Sequence, residues 1–198
     1  GGISKITINL INYFLSKKRK VIVYSLNANI KIFKNSKYFS VFNLKKTNNF
    51  EFSNILNIFF LSYKLSQKLV NGDIVLSMQN HFFLLLLNFY KNNKIIIRNS
   101  EEIFGATRFA DNKLNGIIIF LLKLIFYQFA YKIIAISKLS KNSLKRIIIN
   151  KQKIKLIYNP YIIKINRFKP KLLKSRFSIL STGRLVKQKN FELLINVV

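Results

Sequence analysis

Gly183, Arg184 and Lys189 have the residue types and the spacing that suit a diphosphate. They lie between a predicted strand, 177–180, and an amphipathic helix that begins near Asn190. A glycine after such a strand lets a phosphate approach the backbone, and the N-terminus of the next helix attracts negative charge. Arg184 would donate to two phosphate oxygens at once, whereas Lys189 would supply a point charge. The alternative is that both are solvated cations on a loop of a lysine-rich chain.

Polar residues also follow two other predicted strands. His81 comes after the strand 74–77 and would face a cleft; the alternative is a helix-capping or partly buried histidine. The strand 94–98 leads into a polar stretch, 99–112, which is predicted to be a functional loop. The candidate residues beside and within this loop are Arg98, Asn99, Ser100, Glu101 and Glu102. The chain has only six acidic residues, so the two glutamates stand out, although they would equally suit a helix N-terminus.

Gly1 and Gly2 precede a predicted amphipathic helix, 2–17. Without a Cβ, such residues let backbone N–H groups approach a phosphate or a sugar at a helix N-terminus. The pair is therefore a candidate glycine loop. The alternatives are a simple tight turn or the ragged end of a fragment.

The elements that would position these residues alternate along the chain. Short β-branched runs are separated by longer amphipathic stretches, an order that predicts an α/β fold with a parallel sheet and helices on both faces. The predicted strands are 21–24, 39–44, 74–77, 94–98, 132–136, 154–158 and 177–180. The predicted helices are 2–17, 53–70, 82–90, 114–131 (long and buried), 139–149 and one from about 190. Ser137 is the expected N-cap of the helix 139–149.

The predicted organisation is one domain and the beginning of another. Residues 1–160 form the first Rossmann-like domain, and 161–176, which are basic and contain Pro170, form a linker. Residues 177–198 open a second, truncated domain. The chain begins at Gly1 and stops at Val198 within an apolar helical pattern, so we expect an internal fragment.

Composition limits the chemistry. The chain of 198 residues has no cysteine and one histidine, which excludes disulfides, thiolate metal sites and a histidine-rich metal cage. Its formal charge of +29 suits nucleic acid, an anionic membrane or an acidic substrate, unless coding bias alone explains it. Lysines scattered over every segment, with no nucleic-acid-binding motif, argue against nucleic acid. The apolar stretches 74–90 and 114–136 contain too many polar residues to span a bilayer.

The segment 181–191, with Gly183, Arg184 and Lys189, resembles the opening of the C-terminal domain in family-four glycosyltransferases of the GT-B fold. Three further matches follow the family's order. The glycine pair with its helix and the strand at 21–23 resembles the family's first loop, helix and second strand. The segment 133–137 resembles its strand ending in serine, and 154–160 its strand and Asn-Pro turn.

The resemblance implies a retaining glycosyltransferase, as the full-length parent, that moves a sugar from a nucleotide-diphosphate donor to a glycan or lipid-linked acceptor. Arg184 and Lys189 would bind the donor diphosphate, and His81 would contact the donor sugar or the acceptor. Arg98, Asn99 and Glu101 would belong to the acceptor-side loop. The donor is a substrate, and neither a cofactor nor a metal is expected.

The resemblance also implies parts that this sequence lacks. A first strand would precede Gly1, and the family's paired glutamates, which hold the donor, would lie beyond Val198. The fragment itself would be inactive. The expected location is cytoplasmic, with the inner face of the membrane as an alternative.

A basic surface is the feature that supports the membrane alternative. Lys17, Lys18, Arg19 and Lys20 form one cluster, and the region 31–46 forms a second. The aromatic residues set among the lysines of the second region are Phe33, Tyr38, Phe39 and Phe42. Such aromatics sit at headgroup depth beside cations. The competing function class is therefore a non-catalytic basic protein that binds anionic membrane or nucleic acid.

Overall fold

The structure of the chain is a computed structural model. It describes residues 2–25, 36–43, 63–65, 67–78, 81–85, 91–108, 113–159, 181, 183 and 190–197. The predicted linker 161–176, the strand 177–180 and most of the predicted helix 53–70 lie outside these residues, although 63–65 and 67–68 are helical.

The described strands form two parallel sheets. The first pairs β1 (Val21–Ser25) with β2 (Phe39–Asn43), from Val21 opposite Phe39 to Ser25 opposite Asn43. The second has the order β3-β4-β5-β6, and all three of its pairings are parallel. Its strands are β3 (Ile74–Ser77), β4 (Lys94–Asn99), β5 (Lys132–Ala135) and β6 (Ile154–Leu156). Helices lie between successive strands of this sheet, so the predicted α/β class with parallel strands is confirmed.

The helices have the following bounds. They are α1 (Gly2–Ser16), α2 (His81–Leu85), α3 (Ile103–Arg108), α4 (Lys113–Phe126), α5 (Lys138–Ile147) and α6 (Phe191–Val197). Short 3₁₀ turns, Tyr127–Phe129 and Lys151–Lys153, precede β5 and β6. The predicted N-cap is confirmed, because Ser137 Oγ accepts a hydrogen bond from the backbone N–H of Ser140 at 3.0 Å.

The core lies around the two central strands of the larger sheet. Ile95, Ile97 and Ile133 are fully buried, as expected for apolar runs in a parallel sheet that is covered by helices. Leu144 of α5 and Leu85 of α2 pack into the same cluster. Tyr24 of β1 and Val75 of β3 lie against its border.

Two predictions about the polar loop and the following helix were wrong. The stretch 99–112 contains α3, whose first turn is stabilised locally by Glu102. The predicted long buried helix ends at Phe126, and Leu114 and Ile118 on it are more than half exposed. Because α4 is apolar on most of its surface, its sequence does not determine which face α2 and α3 cover.

The predicted aromatic surface at 31–46 also needs a correction. Phe39 is 2% exposed, because its position in β2 turns it into the interior, so it cannot sit at headgroup depth. Tyr38 and Phe42 are exposed, and Phe33 lies outside the described residues. The ring of Phe42 stacks on Tyr24 with centroids 5.6 Å apart.

Candidate functional site

The candidate site lies at the carboxyl edge of the four-stranded sheet. In this register Ser77 at the end of β3 pairs with Ile97, and Asn99 at the end of β4 pairs with Ala135 of β5. The parallel strands therefore bring the segments that follow them to one edge, where ligands of open α/β sheets bind.

His81 is held at this edge by two contacts. Its Nδ1 lies 2.7 Å from the Oγ of Ser77, which is buried at the end of β3. Its ring lies edge-on to Tyr127, with centroids 6.0 Å apart and an interplanar angle of 77°. The histidine thus occupies the first position of α2 with a defined ring orientation.

The environment of His81 determines its protonation. Its pKa is lowered to about 4, mainly by burial and also by the charge of Lys123, whereas Glu101 acts to raise the pKa. Arg98 makes a smaller contribution that also lowers the pKa. The imidazole is therefore neutral at pH 7, with one donor and one acceptor nitrogen. It is suited to hydrogen bonding a hydroxyl group and poorly suited to donating a proton.

Asn99 connects three segments beneath the site. Its Nδ2 donates to the carbonyl oxygen of Glu101 at 2.6 Å and to Ser140 Oγ on α5 at 2.9 Å. Its Oδ1 accepts from the hydroxyl of Tyr127 at 3.4 Å. Burial raises the pKa of Tyr127, so this hydroxyl stays protonated. The predicted site residue Asn99 is thus 1% exposed, and its hydrogen bonds hold Glu101, Ser140 and Tyr127 in place at this edge.

Glu101 is the exposed member of the group. Its Oε2 lies 3.0 Å from Nζ of Lys123, and 56% of its side chain is accessible, compared with 8% for that lysine. An exposed carboxylate accepts hydrogen bonds from sugar hydroxyls or binds a cation. Ser140 Oγ donates to the main-chain carbonyl of Glu101 at 3.0 Å, which fixes the backbone at this point.

Arg98 also lies at the edge, but it is 5% exposed. Its Nη2 donates to Oδ1 of Asn159 at 2.8 Å and so joins the end of β4 to the segment after β6.

Glu102 accepts from the backbone N–H groups of Phe104 and Gly105, as the helix N-terminus alternative predicts. The two adjacent glutamates therefore differ, since only Glu101 faces other elements of the site.

Sequence reasoning missed Lys123 and Tyr127, which connect the predicted residues to one another. In the sequence pattern Lys123 is only an interruption of an apolar helix. A lone cation in such a helix is the signal that could have identified it, because a buried lysine needs a partner.

The other predicted residues lie apart or outside the described part of the chain. Gly2 begins α1, and Gly183 lies in an exposed bend. Gly1, Arg184 and Lys189 are outside the described residues. Within the described ranges no three His, Asp or Glu side chains are grouped so that they could hold a metal ion.

Comparison with known proteins leaves the family open. No protein-family model matches the chain, and no curated protein matches it at a significant level. The assignment of a function therefore depends on the residues and on the geometry described above.

Proposed function

We propose that the chain comprises the N-terminal domain and the first C-terminal elements of a retaining glycosyltransferase of the GT-B fold. The observation that carries the proposal is the grouping of His81, Arg98, Asn99 and Glu101 at the carboxyl edge of one parallel sheet. The resemblance of 181–191 to the family's diphosphate-binding motif supports the same activity.

The acceptor side of the proposed reaction uses neutral and exposed groups. His81 is uncharged at pH 7 and would exchange hydrogen bonds with a sugar or acceptor hydroxyl. Glu101 has an exposed carboxylate that would accept from further hydroxyls. Hydroxyl-rich acceptors, such as a glycan or a lipid-linked sugar, match this combination of groups.

The donor side would use the cations of the 181–191 motif. Arg184 and Lys189 would offset the charge that develops on the leaving diphosphate. An oxygen of that diphosphate would take the acceptor proton on the same face of the sugar, so no protein base is needed. A histidine with a pKa of about 4 is compatible with this scheme, because it is too weakly basic to be the main proton acceptor at pH 7.

The test uses the full-length protein that contains this chain and a panel of nucleotide sugars. We expect release of a nucleoside diphosphate from at least one donor. Arg184→Ala and Lys189→Ala should each reduce kcat/KM by about 100-fold, the scale of losing one charge-stabilising contact in the transition state. The matched control, Lys187→Ala, removes a cation from the same segment and should leave the rate within about twofold. If wild-type protein neither transfers nor hydrolyses any sugar of the panel, the enzymatic proposal fails.

A second candidate function, binding to an anionic membrane surface, is favoured by the exposed side chains of two helices. Leu114, Ile117 and Leu121 of α4 are at least half exposed, as is Tyr13 near the basic end of α1. Apolar side chains beside lysines suit the headgroup region. Among the described residues no helix combines the length and the apolar character needed to cross a bilayer. In this proposal the protein acts on the cytoplasmic face.

Vesicle sedimentation tests the membrane proposal. The protein should pellet with vesicles of phosphatidylserine and phosphatidylcholine at low salt and remain in solution with phosphatidylcholine alone. Replacing Lys17, Lys18, Arg19 and Lys20 by Gln should weaken this binding. Equal binding by that variant would show that the α1 cluster is not the binding site. If wild-type protein does not bind anionic vesicles, the membrane proposal fails.

A further inference from the structure

A cleft lies at the amino edge of the four-stranded sheet, opposite the candidate site. Its volume is about 540 Å³, within the range of small-molecule sites. Its walls are the segments that lead into β4, β5 and β6. The lining residues are Asn92, Asn93, Lys94, Phe129, Ala130, Tyr131, Lys132, Asn150, Gln152 and Lys153. None of the proposed transferase residues is among them.

Three lysines give this cleft its charge. Lys94 and Lys132 both approach the ring of Tyr131, with Nζ atoms 5.4 Å and 5.7 Å from its centroid. Both ammonium groups therefore contact one partly exposed aromatic ring. Lys153 adds a third and donates to the carbonyl oxygen of Gln128 at 2.8 Å. None of the described residues that line the cleft is acidic.

The carboxylate of Asp73, whose backbone bonds to that of Lys94, is engaged elsewhere. Lys94 donates its backbone N–H to the carbonyl oxygen of Asp73 at 3.0 Å, but the Asp73 carboxylate accepts from the backbone of Val70 at 2.9 Å. The side chain of Asp73 does not line the cleft. Among the described residues no carboxylate forms an ion pair with these three lysines, which leaves their charge for an external anion.

Carboxamides add neutral donors and acceptors to the same walls. Asn93 is 5% exposed, and its Oδ1 accepts from the backbone of Gly72 at 3.1 Å, which fixes the orientation of the amide. Within the described part of the chain its Nδ2 has no hydrogen-bond partner. Asn150 Oδ1 accepts from the backbone of Gln152 at 3.2 Å and so shapes the turn on the other side of the cleft.

Gln128, the neighbour of the lining residue Phe129, fixes the backbone next to the cleft. Its Nε2 donates to the carbonyl oxygens of Leu124 and Ile147, both at 2.9 Å, and its Oε1 accepts from the backbone of Ile149 at 3.1 Å. These bonds connect the end of α4, which precedes β5 in the sequence, to the end of α5, which follows β5. The lysines therefore project from a preorganised framework, which reduces the entropic cost of binding a ligand.

We propose that this amino-edge cleft binds a small phosphorylated carbohydrate or polyol. Lysine ammonium groups recognise the phosphates, carboxamides recognise the hydroxyls, and the exposed rings of Phe129 and Tyr131 suit the apolar face of a sugar. Three cations favour a ligand with two phosphates over one with a single phosphate. The site is separate from the carboxyl-edge site and needs no transferase activity.

The test is calorimetric titration of the full chain with fructose 1,6-bisphosphate at 150 mM salt. We expect saturable binding with one ligand per chain. Pyrophosphate, which lacks the hydroxyls, and fructose, which lacks the phosphates, should each bind more weakly. Lys94→Gln with Lys132→Gln should weaken binding by about 100-fold, since each lost charge-assisted hydrogen bond costs about tenfold or more.

The control replaces two exposed lysines outside the cleft, Lys5→Gln with Lys113→Gln, and so removes the same charge. This variant should bind within about twofold of wild type, because distant surface charges are screened at this salt concentration. Thermal unfolding verifies that both double variants fold. If the Lys94→Gln/Lys132→Gln double variant does not fold, the single variants Lys94→Gln and Lys132→Gln are measured in its place. The variants Arg184→Ala and Lys189→Ala should also bind normally, which separates this site from the proposed donor site.

Three results would overturn the proposal. The first is no saturable binding of the bisphosphate by wild-type protein. The second is an equal loss in the Lys5/Lys113 control, which would indicate diffuse charge in place of a site. The third is tighter binding of a single-stranded RNA oligonucleotide with the same dependence on Lys94 and Lys132, which would make the cleft part of a nucleic-acid surface.

Discussion

The hydroxyl of Ser77 lies 2.7 Å from Nδ1 of His81, so the end of β3 holds the only histidine of the chain in a defined position at the carboxyl edge of the sheet. This contact joins a buried strand residue to the first residue of a helix four positions later. The ring of the same histidine also contacts the ring of Tyr127, and the hydroxyl of Tyr127 donates to Asn99 Oδ1. The candidate site is therefore one connected group, and its members can be tested separately.

The stability of the protein should depend on His81 between pH 6.5 and 4. The unfolded chain binds a proton on this histidine below its usual pKa of 6.5, whereas the folded chain does so only near 4. The contribution of the neutral histidine to the free energy of unfolding is fully present above pH 6.5. It is lost as the pH falls towards 4, by up to about 3 kcal/mol. Urea unfolding of wild type and His81→Asn at pH 7, 5.5 and 4 measures it. The difference between the two proteins should change with pH, and a constant difference would contradict the lowered pKa.

Replacing Asn99 should destabilise the carboxyl edge. Asn99→Ala leaves the Tyr127 hydroxyl and the Glu101 carbonyl without this partner in a buried region, at a cost of about 2–4 kcal/mol. Denaturant unfolding gives the value. Asn71→Ala in an exposed turn is the control and should change stability by less than about 0.5 kcal/mol. A similar small effect of both substitutions would show that the Asn99 bonds contribute little.

Removing Glu101 and removing Lys123 from their ion pair should change the free energy of unfolding by unequal amounts. Glu101→Gln leaves a buried ammonium without its carboxylate and should cost about 1 kcal/mol, whereas Lys123→Met leaves only an exposed carboxylate and should cost less. The double variant should match Lys123→Met. Chemical unfolding of the three variants, with Glu192→Gln as an exposed control, measures the difference. A larger cost for Lys123→Met would reverse this interpretation.

Removing the N-cap of α5 should weaken that helix. Ser137→Ala removes the acceptor for the backbone N–H of Ser140 and should cost about 1 kcal/mol. Ser4→Ala, at an exposed position within α1, is the matched control and should have little effect, because alanine is the better helix former. Thermal unfolding of both variants gives the comparison. Equal melting temperatures would mean that the cap is replaced by water.

Local patterns were enough to determine the strands and the cap. The apolar runs at 21–24, 74–77, 94–98 and 132–136 each lie within one residue of β1, β3, β4 and β5. Their β-branched composition and flanking polar residues act over a few positions, so the sequence carries the signal directly. The capping role of Ser137 is equally local, since its acceptor bonds an N–H only three residues away.

The amino-acid sequence by itself determined the α/β class and the positions of β1, β3, β4 and β5, because periodicity and capping act between near neighbours along the chain. Only the tertiary structure decided that Phe39 is buried, that α4 exposes Leu114 and Ile118, and that Lys123 reaches Glu101. The bond between Asn99 and Ser140 spans 41 positions, and sheet pairing brings those positions together. Such contacts depend on which faces meet after folding, and no local pattern contains that information.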